Sequence, residues 1–118
     1  MGNITIASII KTVTYTDTTA IKIGGLPPKA VIKDIDVIVG TAFDAGGTDY
    51  ISVGTLTDDD KFANDVDVSS TGKATVTLLN GGAVESNTLS TDIYAIYVPG
   101  GTTPTAGTAE VIITYVQK

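Results

Sequence analysis

Apolar and polar residues alternate along much of this 118-residue chain, and a period of two is typical of β-strands. Between residues 30 and 40, the apolar Ile35, Val37 and Val39 alternate with positions that include the charged Asp34 and Asp36. In two later segments both sets of alternate positions are apolar, which is typical of strands covered on both faces. The alternation predicts three long strands: Ala30–Gly40, Asp92–Val98 and Thr108–Gln117.

Shorter apolar runs predict strands at Ala20–Ile23, Tyr50–Val53 and Lys73–Leu79. Glycine and proline stand between the runs, and the sequence GGLPP at 24–28 is not expected to continue a strand. One helical turn is predicted at Asp60–Asp65, with Asp60 as its N-cap. Short strands separated by turns predict an all-β protein, an antiparallel β-sandwich of about eight strands that forms one domain over residues 1–118.

The N-terminal stretch changes the parity of its apolar positions. Ile4 and Ile6 are even, whereas Ile9, Val13 and Tyr15 are odd. Such a change predicts a bulge or a break between two strands near residues 7–10. We therefore expect residues 1–18 to include an attachment arm, whose first apolar side chains pack on a neighbouring molecule.

Four residue types are absent from the composition: the chain contains no His, Cys, Trp or Arg. His is the usual proton shuttle near neutral pH, and Cys is the usual soft nucleophile. Trp is the usual flat side chain for binding sugars, and Arg is the usual bidentate ligand of phosphate and carboxylate groups. The composition therefore predicts a binding or structural module that is not an enzyme and needs no cofactor. A net charge of −6 argues against nucleic acid and anionic membranes as partners, because both require basic residues.

An acidic run is the best candidate for a metal site. Calcium takes six to eight oxygen ligands, and clustered carboxylates supply them. The EF-hand spacing fails, however, because Ala63 stands where that loop needs glycine. A solvated loop capped by Asp60 is the favoured interpretation, and calcium is expected to be dispensable. The residues of the candidate calcium site are Asp58, Asp59, Asp60, Asp65 and Asp67.

Strands with two apolar faces supply more apolar surface than a single core needs. In a chain without disulfides, such surface predicts burial between subunits, so we expect a homo-oligomer. The predicted interface residues are Ile4, Ile6, Tyr94, Ile96, Val98, Ile112 and Val116.

Three segments, taken in order, resemble a known group of proteins. They are VIVGTAFD at 37–44, ISVGTLTDDDKFA at 51–63 and TPTAGTAEVIITY at 103–115. The order is similar to that of small structural proteins of tailed bacteriophages, which decorate capsids or build head and tail fibres. None of the three motifs is catalytic. Asp44 can start a turn, Gly54 allows close packing, and Pro104 with Gly107 fixes the turn before the last strand.

The resemblance implies a β-sandwich of jelly-roll type that is made in the host cytoplasm and acts in a virion. A capsid decoration protein is the favoured function, bound to the major capsid protein or another virion protein as a homo-oligomer. A trimer is the stoichiometry that the resemblance favours. Two alternatives stay open: a head or tail fibre or receptor-binding component, and a carbohydrate-binding or adhesin module.

Overall fold

The computed structural model of the chain describes residues 5–82 and 89–117. Eight strands lie in this part of the chain, with one short 3₁₀ turn at Asn80–Gly82. The strands form two four-stranded antiparallel sheets, which confirms the predicted β-sandwich. Their bounds are β1 (Thr5–Thr14), β2 (Ile21–Leu26), β3 (Ala30–Thr41), β4 (Tyr50–Gly54), β5 (Ala63–Asp67), β6 (Gly72–Lys73), β7 (Thr91–Val98) and β8 (Thr108–Gln117).

The strand order is nested. One sheet has the order β1-β8-β3-β6 and the other the order β2-β7-β4-β5. Each of the first four strands therefore pairs with one of the last four in reverse order: β1 with β8, β2 with β7, β3 with β6, and β4 with β5. The apolar residues that alternate toward the space between the sheets make one core, and the largest of them include Phe62, Ile113 and Tyr97.

β1 is one uninterrupted strand. It pairs with β8 from Thr5 to Thr14 without a shift of register, so the predicted bulge or break near residues 7–10 is wrong. The parity changes because both faces of β1 are apolar: Val13 is buried, whereas Ile6 and Ile10 point outward. Residues 1–4 lie outside the described residues, and the role of the N-terminal segment as an attachment arm stays a prediction.

β3 contains a bulge that the sequence did not predict. Its register with β8 shifts between Ile32 and Asp34, which leaves Lys33 as the extra residue of a bulge. Before the bulge the buried residues are Ala30 and Ile32, and after it they are at odd positions, beginning with Ile35. The bulge thus explains why neither parity in this segment is purely apolar.

Three other predictions are corrected by the structure. β2 continues through Gly24 and Gly25 to Leu26, because a bulge after Lys22 accommodates the glycines. Of the predicted strand Lys73–Leu79 only Lys73 lies in a strand, the two-residue β6, although Val76 and Leu78 still pack against the core. The predicted helical turn at Asp60–Asp65 is also wrong, since Ala63–Asp67 forms the edge strand β5.

Candidate interaction surfaces

The outer side of the β1-β8-β3-β6 sheet carries two groups of apolar residues, which are separated by the polar row of Ser8, Thr114 and Asp34. Cross-strand pairing places Ile6 beside Val116 and Val116 beside Val31. Farther along the first two strands, Ile10 lies beside Ile112. Ile6 is 71% exposed and Ile10 is 59% exposed, values typical of polar positions. We call this surface the β1 face; its residues are Ile6, Ile10, Val31, Ile112 and Val116.

A second apolar surface lies on the opposite side of the sandwich. The inward residues of β7, such as Ile93 and Tyr97, are buried, so the alternate residues of β7 must point outward. β4 adds Tyr50, which pairs directly with Val98. Val98 is 44% exposed. We call this surface the β7 face; its residues are Tyr50, Tyr94, Ile96 and Val98.

The structure divides the predicted interface residues into two groups. Ile6, Ile112 and Val116 come together on the β1 face, and the three predicted residues of β7 come together on the β7 face. Ile4 lies outside the described residues. Sequence reasoning missed Ile10 and Val31. The parity of Ile10 was an available signal, since it matches that of Ile4 and Ile6.

The acidic residues of the candidate calcium site do not converge. Asp58 lies in the turn after β4, where its carbonyl oxygen accepts the Thr55 amide at 2.8 Å. Asp65 and Asp67 lie on the exposed side of β5. Within residues 5–82 and 89–117, no group of three or more acidic side chains could hold a metal ion. That calcium is dispensable stays a prediction.

Gly54 shows why the turn after β4 has its shape. A Cβ atom on Gly54 would overlap the carbonyl oxygen of Asp58 and would lie 2.7 Å from the carbonyl carbon of Asp59. The backbone of the acidic turn therefore folds back directly over the end of β4. This contact accounts for the Ser-Val-Gly sequence before the acidic run in terms of packing, without a ligand.

Asp44 joins the two long loops at one end of the sandwich. Its carboxylate accepts the Thr105 amide at 2.7 Å, the Thr105 hydroxyl at 2.6 Å and the Ala106 amide at 2.9 Å. These hydrogen bonds, with that of the Thr105 hydroxyl the strongest, lower the pKa of Asp44 below its ordinary value of 3.8. Asp44 thus fixes the turn that leads into β8. From the sequence, Asp44 was expected only to start a turn of its own.

We expect Asp44→Asn to lower the Tm at neutral pH, because the charged acceptor of three hydrogen bonds is lost. A lowered pKa in the folded state contributes stability above the ordinary pKa of 3.8, and this contribution disappears as the pH falls through the folded value. The difference in Tm between wild type and variant should therefore shrink below pH 3.8. Thermal melts from pH 7 to pH 2 measure it.

Asp34→Asn is the matched control for this experiment. It removes the same charge from an exposed carboxylate on β3 that accepts no hydrogen bond within the described part of the chain. Its effect on the Tm should be small at every pH. If the two variants show the same pH dependence, the loss in Asp44→Asn reflects net charge and not the turn.

Comparisons with known proteins agree with the sandwich architecture. No protein-family model matches the chain, and no curated protein matches it. Among solved structures, a chain from the cyanophage Pam1 capsid asymmetric unit superposes with a TM-score of 0.70. The match covers 99% of this chain and 86% of that chain at 17% sequence identity. At this identity the likeness shows a shared fold, and it extends over the whole sandwich.

The described residues contain no helix long and apolar enough to cross a membrane.

Proposed function

We propose that the protein is a non-enzymatic structural component of a bacteriophage virion, a capsid decoration protein that binds the outer shell as a homo-oligomer. The observation that supports this most strongly is the whole-length likeness to a chain from a phage capsid asymmetric unit. The order of the three sequence motifs, which resembles that of phage structural proteins, supports it independently. The resemblance also favours a trimer.

The strand order supports a jelly roll. In a jelly roll a long antiparallel hairpin wraps around the core, so the first strand pairs with the last and each sheet alternates between the two arms. The orders β1-β8-β3-β6 and β2-β7-β4-β5 have this property. A jelly roll exposes two broad sheet faces, and here each of them carries a group of apolar residues.

We assign the β7 face to the contact with the shell. Tyr50 and Tyr94 make it the aromatic one of the two faces, and tyrosine is enriched among residues that dominate binding energy. At the centre of this face the small, buried Ser52 pairs with Ile96, and neither is charged. Charged residues stand beside the tyrosines at its margins: Asp67 pairs with Tyr50, and Lys22 pairs with Tyr94 and forms a 3.3 Å ion pair with Asp92.

Co-sedimentation with shells of the encoding phage that lack this protein tests the proposal. Wild type should sediment with the shells, and Val98→Asp should bind at least about tenfold more weakly, because a charge would be desolvated in the interface. Leu56→Asp is the matched control, since Leu56 is 67% exposed in a loop outside both faces. Its binding should equal that of wild type.

The outcomes separate the alternatives. If wild type does not bind shells, the decoration role is wrong, and immunogold labelling of intact virions would then locate the protein on a tail or fibre. If wild type binds and Val98→Asp binds equally well, the β7 face is not the contact. Native mass spectrometry of the free protein tests the expected trimer.

A further inference from the structure

Among the residues that the structure describes, β1 forms an uncovered edge of its sheet. There it has β8 as its one neighbour in the strand order, and it is ten residues long without a bulge. It contains no proline or glycine, and Lys11 is its one charged residue. Natural proteins usually protect such edges with short strands, bulges, prolines or several charges, because a regular apolar edge pairs with other chains.

The backbone groups at this edge can be identified from two hydrogen bonds. The Tyr15 amide donates to the Gly107 carbonyl at 3.1 Å, on the side of β8. The neighbouring Thr14 amide points the other way and donates to the Asp17 carboxylate at 2.8 Å. Because amides alternate sides along a strand, those of the other even residues also point away from β8. They belong to Ile6, Ser8, Ile10 and Thr12, and none has a hydrogen-bond partner among the described residues.

The side chains along the same edge are apolar on both faces. Ile6 and Ile10 point outward and continue the β1 face to its border. On the inner face Ala7 and Ile9 are half-buried, so the domain's own core covers them incompletely. Between Ile6 and Ile10, the edge therefore combines unpaired backbone groups with apolar side chains that are only partly covered.

We propose that two copies of this protein pair through their β1 edges, antiparallel and around a two-fold axis, so that two four-stranded sheets become one continuous sheet. The partner is a second copy of this chain, because the apolar residues and the unpaired backbone groups of one β1 edge match those of another β1 edge that runs antiparallel to it. A contact of this kind uses the same patch on both subunits, which closes the assembly and leaves no free β1 edge.

One register fits the residues best. Even residues must face even residues for their backbone groups to bond, and both isoleucines should face apolar partners. Placing Ile6 opposite Ile10 of the second copy meets both conditions. In this register the two Ser8 residues, one from each copy, face each other on the two-fold axis. On the inner face, Ala7 of one copy pairs with Ile9 of the other. Lys11 then faces Thr5, so the two lysines stay apart.

The pairing also enlarges the β1 face. Ile112 and Val116 flank Ile10 and Ile6 on the side away from the axis in each copy. Four apolar residues from each copy thus form one surface that crosses the dimer. The proposal does not depend on the virion role, and it predicts assemblies with an even number of chains, such as a dimer or a pair of trimers.

A single cysteine tests the pairing directly, since the natural chain contains none. In the proposed register the two Ser8 residues are directly opposite, and Cα atoms of such a pair are about 5.5 Å apart, within the range of a disulfide. Under mild oxidation at low micromolar concentration, Ser8→Cys should therefore become almost completely a covalent dimer on non-reducing gels.

Thr12→Cys is the matched control, because Thr12 lies on the same strand, face and edge. In the proposed register each Thr12 lies four residues from Ser8, and the two Thr12 residues lie on opposite sides of the axis, so this variant should stay monomeric on the gel. If Ser8→Cys cross-links no better than Thr12→Cys, the proposal is wrong. Cross-linking of both variants to the same extent would reveal random collisions and would also overturn it.

Ser8→Pro provides a test without a disulfide. The Ser8 amide points away from β8, and proline is tolerated in an edge strand at such a position, so the domain should keep its circular dichroism spectrum. The proline blocks pairing on the axis, and the dimer dissociation constant should rise at least tenfold, whereas Ser8→Ala should leave it unchanged. If Ser8→Pro stays paired, or if wild type gives a trimer without even-numbered species in native mass spectrometry, the two-fold pairing is wrong. Binding to shells would remain a separate question.

Discussion

Gly100→Ala is expected to destabilise the protein by about 4 kcal/mol or more, which puts it among the rare severe point changes. A Cβ atom on Gly100 would overlap the carbonyl oxygen of Thr48 and would lie 2.6 Å from the carbonyl carbon of that residue. It would also approach the carbonyl oxygen of Gly46 to 2.8 Å. These neighbours are backbone atoms, so no side-chain rotation relieves the contact.

The loops that meet at Gly100 cannot easily move apart. The Gly100 amide donates to the buried Asp49 carboxylate at 3.1 Å. Two residues later the Thr102 hydroxyl donates to the Ala45 carbonyl at 3.0 Å, and the Thr102 amide bonds to the same oxygen. A shift of the Gly100 backbone would therefore break hydrogen bonds that close this end of the sandwich.

Urea unfolding measures the effect, and Gly40→Ala is the matched control. Gly40 lies in β3, and the nearest atom to a Cβ there is the Thr108 carbonyl oxygen at 3.9 Å, an ordinary contact. Alanine at this position should be neutral or stabilise the protein by up to about 1 kcal/mol, because glycine loses more backbone entropy on folding. Equal midpoints for Gly100→Ala and wild type would contradict the packing described here.

Asp49→Ala is expected to lower the free energy of unfolding by about 2–6 kcal/mol. Asp49 is 1% exposed and accepts the Tyr97 hydroxyl at 2.7 Å as well as the Gly100 amide. Removing the carboxylate leaves the buried Tyr97 hydroxyl and the part-buried Gly100 amide without an acceptor, and a lost partner of this kind costs about 1–3 kcal/mol. Denaturant unfolding monitored by tyrosine fluorescence would give the value.

The double variant Asp49→Ala/Tyr97→Phe separates lost hydrogen bonds from lost packing. It removes one of the two orphaned donors, and the phenyl ring at this position would keep the contact with Phe43, whose centroid lies 4.6 Å from that of Tyr97. The double variant should therefore be more stable than the sum of the single changes predicts. Strict additivity would mean that the buried hydroxyl and carboxylate do not depend on each other.

The hydrogen-bonded pair of Asp49 and Tyr97 also makes the stability of the protein depend on pH in the alkaline range. Burial, and then the hydrogen bond to Asp49, raise the pKa of Tyr97 above its ordinary value of 10.0. The stability that comes from keeping the phenol neutral is complete below pH 10.0 and is lost as the pH rises toward the folded pKa. Tyr97→Phe should lack this part of the alkaline destabilisation.

The pattern of apolar residues was sufficient to predict β3, β7 and β8, because the side chains on one face of a strand repeat every two residues, but it did not predict that β1 is continuous. β8 begins and ends where the pattern placed it, and β3, β4 and β7 differ from their predictions by one residue at one end. The pattern failed at β5, since Asn64, Asp65 and Asp67 all face solvent and a register shift against β4 hides the period. An edge strand with this composition looks like an acidic loop.

Other features depend on contacts between residues that are distant in the sequence. Gly24 of β2 leaves room for Ile9 of β1, whose side chain lies 3.1 Å from where a Cβ of residue 24 would stand. The β1 face likewise forms only when the first strand pairs with the last. Sequence reasoning identified Ile6, Ile112 and Val116 one at a time, but their grouping follows from the pairing of β1 with β8, which no local pattern encodes.

The nested strand order also determines when the molecule can fold. β8 lies between β1 and β3, so β1 has no paired neighbour, and β3 has only the two-residue β6, until residues 108–117 have been synthesised. Translation adds about 5–20 residues per second, so roughly 5–20 s pass between the synthesis of β1 and that of β8. Pairings between the two ends of a chain also fold slowly. During this interval Ile6 and Ile10 have no partner strand, so the nascent chain is most vulnerable to aggregation before it leaves the ribosome.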